Sequence, residues 1–257
     1  MHGFIVVCCI GLGLCVGSFL NVVIWRVPRG LSVVAPPSHC PVCETRLAAR
    51  DLVPVVSWLA LRARCRKCST RVSARYPMVE LTTAALFGVL AARFAGSWAL
   101  PAYLTFASVL VVLSGIDLDT MTLPRKVVYG GGVAGAVLLT IAGLAAAEPR
   151  RLEWALVGAA ASLVFFLAVH VASPRSMGFG DVRLAGLIGL HLGWLGLAEV
   201  PIGLFLGFLL GAVVGVAAII AGSAAWGRRI PFGPFMAAGA LIAVVAGQPL
   251  ADLWLRV

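Results

Sequence analysis

Repeated apolar runs constrain this chain more than any other feature of its sequence. Several runs reach the roughly 20 residues that an α-helix needs to cross the hydrocarbon core of a bilayer. With 61% hydrophobic and 12% charged residues, the composition is that of a membrane protein rather than a soluble domain. The sequence therefore predicts an all-α, polytopic membrane protein with about eight transmembrane helices. Their predicted positions are 3–24, 77–94, 99–116, a fourth ending near 147, then 154–172, 182–197, 200–222 and an eighth that begins at IPFGPFMAAGA.

The first apolar run is predicted to stay in the protein. Only His2 precedes it where a signal peptide would carry Lys or Arg, and no small-x-small cleavage site follows. Residues 1–25 are therefore expected to be a retained first transmembrane helix.

The excess of basic residues sets the orientation of these helices. The formal net charge is +10. If eight helices cross the membrane with both termini outside, sixteen of the twenty Lys and Arg residues fall on the cytoplasmic side. The four outside are Arg93, Arg150, Arg151 and Arg256. We interpret the basic loops as topology signals and as contacts with anionic membrane lipid, and we expect no nucleic-acid partner.

A polar segment, residues 26–76, interrupts the apolar runs and is predicted to be a small, zinc-ribbon-like loop domain. It holds ten of the twenty basic residues, which places it in the cytoplasm by the same rule. Two Cys-x-x-Cys pairs within it are separated by 21 residues, a spacing typical of a structural zinc site. The predicted ligands are Cys40, Cys43, Cys65 and Cys68.

Other uses of the cysteines fit the sequence less well. Two disulfides, or a thioredoxin-like redox pair, conflict with a reducing cytoplasmic loop that lacks a βαβ pattern. Cys8, Cys9 and Cys15 lie in the first helix and are predicted to be inert packing residues.

Two aspartates near the ends of apolar runs are the candidate catalytic residues. Only ten Asp and Glu residues occur in the chain, and a carboxylate at the boundary of a membrane helix is costly to desolvate, so its default interpretation is functional. Asp117 in SGIDLDTMTLP and Asp181 in MGFGDVRLAG are predicted to be each other's partner. Two close carboxylates cannot both ionise cheaply, so one takes up a proton and the pair can act as base and acid. That is the chemistry of an aspartyl protease.

Two glycines and a third acid accompany this pair. Gly178 and Gly180 would let the backbone turn sharply and approach another group closely, which would position the carboxylate of Asp181. Asp119 is open to two interpretations, a functional acid or only an N-cap or solvated boundary residue. Ser18 and Asn21, on the inner half of the first helix, are equally open between helix packing and substrate binding.

Taken together, these motifs resemble the bacterial type IV prepilin peptidases, an aspartyl protease family with a GxGD motif. The matching stretches follow the order of the family and cover nearly the whole chain: GSFLNVVIWRVP, CPVC, CRKC, DLVPVVSWLALRARC, RYPMVE, IDLDTMTLP, GFGDVRLAGLIG and IPFGPFMAAGA. The resemblance implies that Asp117 and Asp181 are the catalytic aspartates. It also implies a transmembrane peptidase core over residues 77–257, in the bacterial inner membrane with its active site facing the cytoplasm.

Members of this family cut a short basic leader, after a glycine, from prepilins and from related pseudopilins of secretion systems. Many members with the cysteine-bearing loop then methylate the new N-terminus with S-adenosylmethionine. The resemblance therefore implies both activities here, although the sequence shows no soluble nucleotide-binding pattern. A peptidase with a purely structural zinc segment is the alternative. Arg125 stands where an acid or amide is frequent and Arg183 where Lys is usual, which leaves substrate preference open.

Recognition of a basic leader needs acidic groups near the depth of cleavage. Glu80, near the cytoplasmic end of the second helix, and Asp119 are the candidates for substrate binding. The alternatives from other classes of protein are a proton-coupled transporter and a non-enzymatic assembly factor whose zinc loop binds a partner. The boundary position of the acids and the lack of a clear internal repeat disfavour the first, and the second leaves the GFGD loop unexplained.

Overall fold

A computed structural model describes residues 2–174, 177–222 and 230–255, with side chains as far as residue 248. The basic residues Arg175, Arg228, Arg229 and Arg256 lie outside this part of the chain. The described residues form α-helices and two short 3-10 turns, without a β-strand, so the all-α prediction is confirmed. The α-helices are α1 (His2–Arg26), α2 (Val56–Ala60), α3 (Arg75–Phe94), α4 (Leu100–Thr120), α5 (Arg125–Ala145), α6 (Pro149–Ala172), α7 (Phe179–Leu195), α8 (Glu199–Ile220) and α9 (Gly233–Leu255).

Six of these helices are long and apolar enough to cross a membrane, namely α1, α3, α4, α5, α6 and α8. α7 has only 17 residues, and the apolar stretch of α9, Gly233–Gln248, is likewise shorter than each of these six helices. The polytopic membrane architecture is therefore confirmed, whereas the total of eight spans stays a prediction. The chain forms two compact units, residues 1–95 and 96–257. The predicted division at residues 25 and 76 stays a prediction.

The predicted start of the fifth helix at residue 154 is wrong, because α6 already begins at Pro149. Proline is favoured in the first turn of a helix, where its missing N–H has no helical acceptor to lose. The charged residues of this turn find local partners. Arg151 forms an ion pair with Glu148 at 2.6 Å, and the guanidinium of Arg150 lies 5.2 Å from the ring centre of Trp154.

Both candidate catalytic aspartates lie within helices rather than in the loops beside them. α4 continues past the predicted end at residue 116 and stops at Thr120, where Met121 takes a left-handed backbone conformation with φ 51°. α7 begins at Phe179, so Asp181 is its third residue. Regular helical backbone therefore fixes the Cα position of each carboxylate.

In the first unit, α1 and α3 pack with their backbones in near contact. A Cβ atom added to Gly13 or to Gly17 would lie 2.7 Å from a Cα atom of α3. Asn21, one turn after Gly17, donates hydrogen bonds to the carbonyls of Gly17 and Tyr76 at 3.2 and 3.1 Å. Small residues and interhelical hydrogen bonds associate membrane helices, because lipid is as apolar as the side chains themselves. For Asn21 the structure supports the packing interpretation.

In the second unit, the same kind of contact joins α6 to α7 and α8 to α9. Gly158 of α6 and Gly189 of α7 face each other so closely that a Cβ on either would overlap the backbone of the other. A Cβ on Gly207 of α8 would lie 3.0 Å from the Cα of Met236 in α9. The resulting packing brings the first residue of α9, Gly233, to the C-terminal end of α4.

The α1–α3 contact predicts a sharp difference between two neighbouring glycines. Gly13→Ala should lower the free energy of unfolding of the solubilised protein by about 1–3 kcal/mol, because the new methyl group meets backbone that cannot move aside. Gly11→Ala is the matched control, since a Cβ there has nothing within 4 Å. Thermal unfolding of both variants in one detergent checks this. Equal melting temperatures would contradict the described packing.

Candidate active site and metal-binding segment

Asp117 is held at the end of α4 by the start of another helix. Its side chain is buried, with a relative exposure of 5%, and its Oδ2 atom accepts a hydrogen bond of 2.9 Å from the backbone N–H of Gly233. The first N–H groups of a helix have no helical acceptor, and their dipoles favour a negative charge. A Cβ on Gly233 would lie only 2.8 Å from that same oxygen. A glycine is therefore required for α9 to reach Asp117.

Asp181 is held in a similar way by its own helix start. The N–H of Gly178 donates a hydrogen bond of 3.1 Å to Oδ2 of Asp181, and the N–H of Asp181 donates one of 3.1 Å to the carbonyl of Gly178. Asp181 is partly buried. Each of the two aspartates thus has one carboxylate oxygen fixed by a glycine N–H at a helix N-terminus, which leaves its other oxygen for chemistry.

The two glycines before Asp181 serve only one of the two purposes expected of them. Gly178 has an ordinary extended backbone, with φ −73° and ψ 148°, so the sharp turn that was expected to need glycine is not observed. Close approach is observed instead at Gly180, where a Cβ would lie 3.0 Å from Cβ of Leu123. A Cβ on Gly233 would lie 3.2 Å from Cδ2 of the same leucine. Leu123 therefore packs between the helix starts that hold the two aspartates.

These contacts bring the two aspartates into one site. The helix start that bonds Asp117 and the helix start that carries Asp181 both contact Leu123. Arg183 lies one turn after Phe179 on α7, and its guanidinium is 5.1 Å from the ring centre of that residue and 6.0 Å from that of Tyr129. The site therefore combines two carboxylates with a cation, Arg183, that lies two residues after Asp181 on the same helix.

Gly233 and Leu123 are the residues of this site that the sequence prediction missed. The signal for Gly233 was present as a Gly-Pro pair in FGPF, since proline in the first turn marks a helix start and glycine before it marks close backbone approach. Leu123 carries no such signal, because a leucine between two apolar runs is indistinguishable from any other apolar residue.

The two acids predicted to receive a basic leader occupy different environments. Asp119 is exposed in the last turn of α4, where carbonyl rather than N–H groups lack partners, so the N-cap interpretation is wrong. Glu80 is buried in the second turn of α3, with a relative exposure of 6%. Its Oε2 accepts a hydrogen bond of 2.7 Å from the N–H of Val55, and its carboxylate also bonds the side chain of Ser18. Glu80 thus joins α1, α3 and the cysteine segment.

The four predicted metal ligands meet at one point in the first unit. The sulfur atoms of Cys40, Cys43, Cys65 and Cys68 all lie within 4.8 Å of one another. The separations of Cys40 from Cys68 and of Cys43 from Cys65 are 3.7 and 4.0 Å. Those values are far too long for disulfide bonds, and they match the roughly 3.8 Å edge of a tetrahedron with Zn–S bonds of about 2.3 Å. The four cysteines can therefore hold a tetrahedral metal ion such as zinc.

Each cysteine pair is part of the same local structure, repeated twice. In both, the first cysteine exchanges backbone hydrogen bonds with residues four and five positions later, and a residue with positive φ follows the second cysteine. A threonine hydroxyl contacts the second sulfur, at 3.5 Å between Cys43 and Thr45 and 3.3 Å between Cys68 and Thr70. The repeated pattern Cys-x-x-Cys-x-Thr was present in the sequence, but only its cysteines were predicted.

The threonines favour the form of the cysteines that binds metal. The hydroxyl of Thr70, with the backbone N–H of the same residue, lowers the pKa of Cys68 to about 6. Thr45 lowers the pKa of Cys43 in the same way. Metals bind thiolates rather than thiols, so both effects assist binding near neutral pH.

The remaining three cysteines lie on α1 and away from this cluster. Cys9 is buried, as expected of a packing residue, whereas Cys8 and Cys15 are exposed. The packing prediction is therefore wrong for those two, because they lie on a helix face that α3 does not cover.

Comparison with known proteins assigns both units. Residues 12–94 match the family model described as the bacterial peptidase A24 N-terminal domain, and residues 104–216 match the type IV leader peptidase family. No solved structure matches the chain. The second match contains both aspartates and the glycines before Asp181, while the first contains all four clustered cysteines.

Several curated relatives share the name prepilin leader peptidase/N-methyltransferase. The Stutzerimonas stutzeri protein is 34% identical over 98% of this chain and 94% of its own length, and the Bacillus subtilis protein is 33% identical over 95% of both. The Myxococcus xanthus protein is 42% identical over 82% of this chain, a match that spans 62% of that relative's length. With six long apolar helices among its described residues and with these matches, the chain is an integral membrane protein that belongs to the type IV leader peptidase family.

Proposed function

We propose that this protein is a membrane-embedded aspartyl endopeptidase that removes the basic leader from type IV prepilins or pseudopilins. The single observation that carries the proposal is the geometry of Asp117 and Asp181: a glycine N–H fixes one oxygen of each, and Leu123 contacts both helix starts. The names of the relatives support the substrate class. Cleavage would take place at the cytoplasmic face of the bacterial inner membrane, as the distribution of basic residues suggests.

The proposed mechanism uses the pair as one unit. An ionised carboxylate takes a proton from a water molecule as the oxygen attacks the scissile carbonyl, and the protonated partner gives its proton to the carbonyl oxygen. The tetrahedral intermediate then breaks its C–N bond while a carboxyl proton passes to the leaving nitrogen. The products are a leader with a free carboxylate and a mature chain with a new amino group. No covalent acyl-enzyme forms.

The hydrogen bonds from Gly233 and Gly178 have a role in this mechanism. A carboxylate bonded through one oxygen cannot rotate freely, so its second oxygen is already directed toward the reacting water or carbonyl. Such preorganisation is a large source of rate enhancement, since orientation need not be gained during the reaction.

A second activity, N-methylation of the new amino group with S-adenosylmethionine, is part of the proposal. It rests on the names of the relatives, which include N-methyltransferase. The alternative is a peptidase in which the cysteine segment only folds a cytoplasmic domain. The relatives' names give no support to the proton-coupled transporter or the assembly factor.

The metal proposed for the four cysteines is zinc, bound as a structural ion. The fit rests on four thiol groups at tetrahedral separations, a donor set that is common for structural zinc. The cysteine segment, residues 26–76, has few buried apolar residues of its own, so metal binding would supply much of its folding free energy.

Removal of either catalytic carboxylate should abolish cleavage. Asp117→Asn and Asp181→Asn should each lower the cleavage rate about 10²–10⁴-fold, the usual contribution of general acid–base groups. The measurement is the intact mass of a prepilin after incubation with the purified enzyme. Asp119→Asn, in the same turn as Asp117, is the matched control and should keep its cleavage rate at saturating substrate. Normal cleavage by either catalytic variant would rule out this mechanism.

A methyl group at Gly233 should impair catalysis through Asp117 without unfolding the protein. Gly233→Ala would press against Oδ2 of Asp117, and a displacement near 1 Å can cost about a hundredfold in kcat. Gly130→Ala is the control, because a Cβ at Gly130 meets nothing within 4 Å. Melting temperature and kcat are measured on both. Full activity of Gly233→Ala would show that the N–H of this residue does not position the aspartate.

Acids that bind the leader should affect KM more than kcat. Asp119→Asn should raise KM for a prepilin by about two- to fivefold, as expected of an exposed charge pair. The effect should disappear with a substrate whose leader lysines are replaced by glutamine. Glu80→Gln is tested separately, because its bonds to Val55 and Ser18 predict loss of stability in addition. If KM for the basic leader is unchanged in both variants, neither acid receives it.

Metal removal should act on the cysteine segment and leave the transmembrane helices folded. The purified protein should contain about one zinc per chain, and Cys40→Ser with Cys68→Ser should lose it. Cys15→Ser, on the exposed face of α1, should retain the metal. Metal analysis and the product mass with S-adenosylmethionine are recorded together.

The product mass also distinguishes the two proposed activities. Cleavage with a methyl increment in the wild type supports both activities, and cleavage without that increment supports the peptidase alone.

A further inference from the structure

A basic cavity in the first unit has no assigned ligand in either proposed activity, although Glu80, a candidate for leader binding, lies on its wall. Its volume is about 560 Å³, and it lies between the C-terminal end of α1, the start of α3 and the cysteine segment. Trp25 and Arg26 of α1 and Tyr76 of α3 line it. The cysteine segment adds six basic side chains, Arg46, Arg50, Arg64, Arg66, Lys67 and Arg71.

The charges around this cavity do not balance. Seven basic residues face two acidic ones, Asp51 and Glu80, which leaves a formal charge of five positive. Asp51 is bonded to Arg66 at 2.7 Å, and Glu80 to the N–H of Val55. Cys40 and Cys65 adjoin the cavity, and zinc with four thiolates would carry two formal negative charges, so three positive charges still remain. An anionic ligand would complete this site.

Arg26 is the innermost cation. Its relative exposure is 7%, and it donates hydrogen bonds of 2.9 and 2.7 Å to the carbonyls of Ser32 and Pro36. A guanidinium has five N–H donors, so three are left for another acceptor. No carboxylate among the described residues pairs with it. A buried charge without a counter-ion is costly, and its burial beside a cavity indicates that the counter-ion binds there.

A second observation comes from the turn around the second cysteine pair. Arg64 and Arg71 lie opposite each other in an isolated antiparallel bridge, and both line the cavity. Like charges in directly opposite positions repel and destabilise the pairing. An anion between the two side chains replaces this repulsion with attraction.

The location of the cavity identifies the class of anion. α1 and α3 are both long and apolar enough to cross a membrane, so their ends at the cavity lie at the membrane surface. Trp25 and Tyr76, each 45% exposed, are the residue types that lie at the lipid headgroup level. We propose that this cavity binds the phosphate of an acidic phospholipid headgroup, with Arg26 as the inner contact and Arg64 and Arg71 as outer contacts. S-adenosylmethionine carries a net positive charge, so the same field repels it.

The test measures lipid retention and is independent of cleavage or methylation. The full-length protein is reconstituted in nanodiscs of phosphatidylcholine with a minor share of phosphatidylglycerol, and the lipids that remain bound after release are counted by native mass spectrometry. Arg64→Gln with Arg71→Gln should weaken phosphatidylglycerol retention by about fivefold per charge removed. Arg93→Gln with Arg150→Gln removes the same charge at residues that do not line the cavity and should retain the lipid. Arg26→Lys should also reduce retention, because it keeps the charge but loses the planar donor geometry.

Competition identifies the ligand. Wild-type protein should keep phosphatidylglycerol in the presence of inorganic phosphate or S-adenosylmethionine. Equal retention by the cavity variant and the control variant would overturn the proposal, because it would show a non-specific lipid shell. Displacement by inorganic phosphate would overturn the lipid as the source of the anion, and displacement by S-adenosylmethionine would assign the cavity to the methyl donor. Zinc content and melting temperature, measured on every variant, exclude loss of folding as the cause.

Discussion

Close approach of helix backbones, permitted by glycine, is the interaction on which the rest of this structure depends. In a bilayer the hydrophobic effect does not drive helices together, so their association relies on packing and on hydrogen bonds. Gly13 and Gly17 join α1 to α3, and Gly207 joins α8 to α9. The candidate active site uses the same device, since Gly233 lets the start of α9 touch the carboxylate of Asp117. Helix packing and the geometry of the candidate active site therefore both depend on close backbone contacts that only glycine permits.

The residues that could be predicted from sequence were those whose chemistry is visible without the fold. Asp117 and Asp181 stood out because acids are rare in an apolar chain, and the four cysteines because their spacing is typical of zinc sites. Apolar runs likewise located the long helices, since a span needs a minimum length. These signals are local, so they can be recognised in the sequence without knowledge of the fold.

What could not be predicted depends on contacts between distant residues or on the exact ends of helices. The N–H of Gly233 binds a carboxylate 116 positions earlier, and no local pattern encodes that partner. Glu80 looked like an acid available to a substrate, but Val55, 25 positions earlier, supplies its hydrogen bond. Val55 is a β-branched residue with φ 59°, an unfavourable conformation that its bond to Glu80 helps to hold. The predicted helix ends differ from those observed at Pro149 and Thr120, because charged and polar residues occur in the first and last turns of a helix as readily as in the loop beside it.

The distance along the chain between Asp117 and Gly233 has a consequence for synthesis. A growing chain that has been made as far as α7 already contains both aspartates, yet the amide that fixes the first of them belongs to a helix that has not been made. The nascent protein therefore lacks the hydrogen bond that fixes Asp117 until α9 has been made and its first turn reaches α4. During synthesis, when unfolded segments of the chain are most accessible to cleavage, the candidate site is therefore not yet aligned.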